Sequence, residues 1–149
     1  MLKFFASLLA LTTLAAVTAV AAQADSGAPS WGPATPNFNL QVVLRPVDGA
    51  TDIDVWVRDL GPNHSYLLQR AVDTNVNHDC TGPSWLTLGK GLVPEAIATD
   101  ETGTGRANLF RNLASIPLGT EFDIHFRVID ATTSADVLES ACYQYRVSQ

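Results

Sequence analysis

The residues best suited to chemistry are three histidines, two pairs of carboxylates and one crowded acidic turn. His64, His78 and His125 lie 14 and 47 positions apart, with no His-x-His or His-x₃-His pair of the kind that zinc and copper sites draw on. His78-Asp79-Cys80 offers metal ligands only if Cys80 is free. Nucleophilic hydrolysis has no Gly-x-Ser-x-Gly elbow, and no serine can be picked out with a partnering His and Asp. Asp52 with Asp54, and Glu121 with Asp123, each sit two apart on a strand-like run. Each pair therefore projects from one face, with Cβ atoms roughly 7 Å apart. Glycosidases need a comparable separation, but across a cleft and with one carboxyl partly desolvated. Carboxylates opposite a Val/Ile/Phe face are the ordinary solvated outside of a strand. Asp100, Glu101, Thr102 and Thr104 gather hard oxygens that suit calcium, yet the EF-hand spacing is missing. The expectation is no catalytic residue, no metal and no cofactor. The alternative is a secreted metal-binding or hydrolytic enzyme using His78, Asp79, His125 and the outward carboxylates.

Aromatic recognition has more to work with. Ile53, Val55 and Val57 alternate with Asp52, Asp54, Trp56 and Arg58, which turns Trp56 to the polar face of its strand beside Asp54 and Arg58. An indole flanked by polar groups can stack on a sugar ring, and exposed apolar area marks interfaces. Trp56, Asp54, Arg58 and Trp85 are thus the expected binding residues, for carbohydrate or for another protein. The competing reading has Trp56 covered by the preceding segment, for instance by Trp31, or lying in a subunit contact.

Short strands must position these groups. Leu40 to Val47 reads as the first, Ile53 to Val57 as the second and Tyr66 to Val72 as the third. Trp85 to Leu88 and Pro94 to Thr99 follow, the proline being tolerated at a first residue or an edge. The glycines of Thr99-Asp100-Glu101-Thr102-Gly103-Thr104-Gly105 predict a tight hairpin turn into a strand over Arg106 to Leu113. After a turn at Pro117 to Thr120, Phe122, Ile124, Phe126 and Val128 point one way, and Glu121, Asp123, His125 and Arg127 the other. A last strand, about Val137 to Val147, carries Cys142, Tyr143 and Tyr145. No capped helical stripe appears downstream of the N-terminal apolar run. Seven or eight short strands predict an all-β fold, an antiparallel sandwich over residues 39–149.

Leu60-Gly61-Pro62-Asn63-His64-Ser65-Tyr66 places Leu, Pro and Tyr at the spacing of a tyrosine corner, where a tyrosine opening a strand hydrogen-bonds back to the preceding bend. The segment resembles the corner of fibronectin type III and related immunoglobulin-like domains, with His64 where those carry Thr. The string from Leu88 through Ile97-Ala98-Thr99-Asp100 to Phe122–Asp130 is similar to β-sandwich modules of secreted proteins. These resemblances imply a Greek-key sandwich and bring no catalytic residues.

The 149 residues are 46% hydrophobic and 16% charged, too apolar for a disordered chain or a coiled coil. Nine basic against fifteen acidic side chains leave no electrostatic footprint for nucleic acid. Part of the apolar excess lies in residues 1–24: Lys3, an uncharged run, then small residues ending in Ala22-Gln23-Ala24, the layout of a cleavable export signal. A transmembrane anchor is the competing reading of that run, although no cationic stop-transfer cluster follows it. Cleavage after Ala24 removes Lys3 and no acid, so the net charge of −6 becomes one unit more negative. Residues 25–38, rich in Gly and Pro, read as a flexible leader. The expected location is extracellular, periplasmic or at the cell surface, with no membrane span after cleavage. In such a compartment Cys80 and Cys142 most simply form one disulfide, worth roughly 4 kcal/mol for a loop of about 60 residues; two buried thiols are the alternative. Asn63-His64-Ser65 is a glycosylation sequon in a eukaryote.

Overall fold

The computed structural model describes residues 39–148; the expected export signal and leader lie outside the described residues. Eleven strand segments form two packed sheets: β1 Leu40–Val47, β2 Ala50–Val57, β3 Ser65–Asp73, β4 Leu86–Thr87, β5 Gly89–Lys90, β6 Val93–Pro94, β7 Ala96–Ala98, β8 Gly105–Asn112, β9 Glu121–Asp130, β10 Asp136–Glu139 and β11 Tyr143–Arg146. The first sheet runs β1-β2-β8-β5-β6. In the second, β9 lies between β3 and the β10/β11 edge, and β3 pairs on its other side with β4 and β7. The architecture is the expected all-β sandwich, stapled by one disulfide, Cys80–Cys142.

Alternation along the five long strands builds the core. Leu40 and Val42 of β1, Ile53, Val55 and Val57 of β2, and Leu109 of β8 face Tyr66 and Leu68 of β3 and Ile124, Phe126 and Val128 of β9. A one-residue slip in any pairing would turn these chains outward, so apolar burial sets the register.

Three expected strands depart from simple form. The run predicted over Pro94 to Thr99 is split: β6 pairs in the first sheet with β5, while β7 pairs in the second with β3. The run that opens with β4 makes the reverse crossing, from β3 to a single parallel pairing of Lys90 with Phe110 in β8. Gly89 makes this exchange possible, because a Cβ there would lie 1.9 Å from the Val93 carbonyl oxygen. These crossings close one side of the sandwich, and β5 makes the first sheet mixed instead of purely antiparallel. At the opposite edge the predicted last strand runs beside β9 as β10 and β11. Their registers differ across Ser140 to Cys142, where Ser140 Oγ accepts the Phe126 amide. Such a break blunts an exposed edge against pairing with other chains.

The turn from Thr99 to Gly105 is closed as expected, by a bridge between those residues and by the Asp100 amide donating to Thr104. The strands it joins, however, belong to different sheets. Gly103 (φ +76°) packs against the Leu60 backbone so closely that a Cβ would come within 2.1 Å of the Leu60 oxygen. The tyrosine corner forms beneath it: Tyr66 hydroxyl accepts the Gly61 amide at 2.9 Å. Buried Thr99 reinforces it, its hydroxyl donating to the Gly61 carbonyl (2.6 Å) and accepting from the His64 amide (3.0 Å).

Candidate functional site

The outer face of the first sheet carries Trp56, as the alternation predicts. Cross-strand pairing sets Trp56 between Gln41 and Arg106, and Asp54 between Val43 and Asn108. The Arg58 and Arg106 guanidiniums flank the indole at 5.8 and 5.7 Å from its centre and leave it 42% exposed. Asp54 accepts from Asn108 Nδ2 at 2.9 Å and pairs with Arg45. Those two contacts, the Asn108 hydrogen bond foremost, hold its carboxyl below the usual carboxylate range. Lys90 reaches Asn108 from β5, and exposed Phe110 lies two residues farther along β8. The face is thus an indole on a lattice of charged and amide groups whose positions are already fixed by one another. Local sequence does not single out Arg106, Asn108 and Phe110, because their strand neighbours come from pairing with β2 fifty or more residues earlier.

Trp85 lies elsewhere. It belongs to the loop of residues 74–85, which folds across the outer face of the second sheet. Its ring stacks on His125 (centroids 4.5 Å apart), and the Arg127 guanidinium sits 4.1 Å from its centre. Arg127 also donates to Gln69 Oε1 at 2.8 Å and pairs with Asp136 at 3.0 Å. Trp56 and Trp85 therefore lie on opposite faces and share no surface. The expected four-residue set separates into Trp56, Asp54 and Arg58 on one side and Trp85 on the other.

The same loop overturns the reading of Glu121, Asp123, His125 and Arg127 as a solvated strand face. Asp123 is fully buried: its Oδ2 accepts the Asn77 and His78 amides at 2.8 and 2.6 Å. His125 is 9% exposed, with Nδ1 3.7 Å from Glu139 and, among the described residues, no partner for Nε2. Glu121 stays outside, beside Arg146. The Cys80–Cys142 bond ties the loop to the sheet edge, so Cys80 has no thiolate for a metal. His78 and Asp79 are exposed loop residues whose backbone amides are already engaged, that of His78 by Asp123 of β9 and that of Asp79 by Asn77 Oδ1. Among the described residues no three His, Cys, Asp or Glu side chains stand together as a metal site would require.

His64 pairs with Asp130 at 2.7 Å. Asp130 also accepts the Thr132 and Thr133 amides, and these backbone bonds are the main reason that its carboxyl falls to about 2. Asp100, weighed for calcium, closes its own turn by accepting from Thr102 and Thr104, which lowers its carboxyl as well. Asn63 is exposed with φ +50° at the tip of the corner. Comparison with protein-family models, curated proteins and solved structures finds no match to this chain.

Proposed function

We propose that this protein is an exported, non-catalytic recognition module that binds carbohydrate through the outer face of its first sheet. The observation that carries the reading is Trp56: a large apolar ring, 42% exposed, standing among fixed polar groups on a sheet. Sugar rings present C–H faces to an indole and hydroxyls to its surroundings, and this face offers both kinds of contact. The flanking Arg58 and Arg106 add a preference for acidic sugars over neutral ones. Export agrees with the disulfide and with the expected signal. Among the described residues no helix is long and apolar enough to cross a membrane.

The enzymatic alternative has weaker support. Its carboxylates are engaged, Asp54 by Arg45 and Asn108 and Asp123 by backbone amides, and His125 lies under Trp85. Another protein as the occupant draws support from Leu92 and Val93, 82% and 69% exposed at the β5–β6 edge near Phe110.

Titrating the full chain with polygalacturonate and with dextran, while following tryptophan emission, tests the proposal. The acidic polymer is expected to change the emission in saturable fashion. Trp56→Ala should abolish that change, and Arg106→Gln should bring the two polymers closer in affinity. An emission change that survives in Trp56→Ala refutes carbohydrate binding at this face.

A further inference from the structure

Alternation puts a cation into an aliphatic slot twice. On β3 the inward series runs Tyr66, Leu68, Arg70, Val72, and on β8 it runs Ala107, Leu109, Arg111, Leu113. Both arginines therefore enter the space between the sheets, at the end opposite the tyrosine corner. There they line a cavity of about 260 Å³ whose other walls are mainly apolar, among them Leu44, Ile53, Val72, Ile116 and Phe126. Two of the wall's hydroxyls satisfy each other, Thr51 Oγ1 lying 2.7 Å from the Tyr145 hydroxyl, and that of Thr120 donates to the Pro117 carbonyl.

The cations are not satisfied in that way. Among the described residues Arg111 has one long side-chain bond, donated to the Gly91 carbonyl at 3.3 Å, and the Arg70 guanidinium makes no hydrogen bond or ion pair. Among the described residues no carboxylate pairs with either, in a chain that carries fifteen acids. Burial, and then the neighbouring Arg111 charge, pull the Arg70 guanidinium below its ordinary value. Two half-buried like charges with no counter-charge among the described residues carry a desolvation and repulsion cost that a bound anion would offset.

We infer that the cavity between the sheets is a binding site for a single-chain amphiphile with an anionic head, its alkyl chain against Leu44, Ile53 and Phe126 and its head on Arg70 and Arg111. A guanidinium presents a fork of donors that fits a carboxylate or a phosphate monoester equally. The volume lies just below the usual range for ligand pockets, roughly 300–1,000 Å³, which suits one chain and not a two-chain lipid. This site is separate from the Trp56 face and does not depend on it.

Calorimetric titration of the full chain with laurate, dodecyl phosphate and dodecanol tests the assignment. At least one anionic probe should bind one per chain and about tenfold or more tighter than dodecanol, a difference of about 1.4 kcal/mol. Whichever anionic probe is preferred names the head group. Arg70→Met should reduce that ratio to about threefold or less while dodecanol affinity holds, and Arg111→Met should move the ratio in the same direction. Because the readout is a ratio within one variant, partial loss of folded protein cancels. Trp56→Ala should leave laurate binding unchanged, which separates this site from the carbohydrate face. Equal affinity for charged and neutral probes overturns the inference, as does an unchanged ratio in both arginine variants. Failure of the full chain to take up any probe overturns it too.

Discussion

The two outer faces of the sandwich begin from the same sequence pattern and end differently. On β2 and just past its end, Asp52, Asp54, Trp56 and Arg58 alternate with core residues; on β9, Glu121, Asp123, His125 and Arg127 do the same. Among the described residues nothing covers the first face, where Trp56 stands among Arg58, Arg106 and Asp54. Over the second, residues 74–85 form an added layer held by Cys80–Cys142, with amides on Asp123 and Trp85 on His125. The contrast teaches that alternation assigns a side chain to a face but not to solvent. Whether that face meets water depends on a loop that returns to it.

If the covered layer is structural and the open face is for binding, the largest stability effect belongs to the staple. Cys80→Ser with Cys142→Ser should cost about 4 kcal/mol, because it releases a closed loop in the unfolded chain. Urea unfolding measures the loss, and hydrogen exchange should quicken first at residues 74–85. Equal quickening throughout the domain would show that the layer is not a separate unit.

Asp123→Ala comes next, at about 1–3 kcal/mol for backbone donors left buried without an acceptor. A loss below about 0.5 kcal/mol would mean that the loop relaxes outward and the layer is loose. The two tryptophans then give the direct contrast. Trp85→Ala should destabilise by about 2 kcal/mol, less than a fully buried aromatic would, since its ring is only partly enclosed. Trp56→Ala should cost less than about 1 kcal/mol, the scale of its cation–π contacts, while removing the saccharide response. Reversed magnitudes in thermal melts would exchange the roles assigned to the two faces.

The smallest effect lies off both faces, at the corner. Asp130 has a folded value of about 2 against an ordinary 3.8, so its contribution is complete above about pH 4 and disappears as the pH falls towards 2. Asp130→Asn should therefore flatten the decline in the urea midpoint between pH 5 and 2, with His64 and the Thr132 and Thr133 amides as its partners. An unchanged slope would show that other carboxylates carry the acid sensitivity.

Much of the fold was legible along the chain because its signals are local. The ends of β1 follow from Leu40 to Val47 and the turn after it, and the corner follows from the spacing of Leu60 and Tyr66. The sheet exchanges at Leu88 and Glu95 were not legible, since they depend on how closely Gly89 approaches the Val93 backbone in the folded state. Of the candidate sites, Trp56 with Asp54 and Arg58 could be read from period two alone. Arg70 and Arg111 did leave a local signal, each being a cation between aliphatic residues on an inward-facing series, but their convergence on one cavity arises from two strands some forty residues apart.

By itself the sequence determined what short-range stereochemistry controls: strands, their inward faces, the turns, and a cysteine pair suited to an oxidising compartment. Tertiary structure alone decided that Asp123 and His125 are buried, that Trp56 and Trp85 part company, and that two cations meet across an apolar cavity. Side-chain direction is a property of one strand, whereas burial and charge compensation depend on all the elements that arrive from elsewhere in the chain.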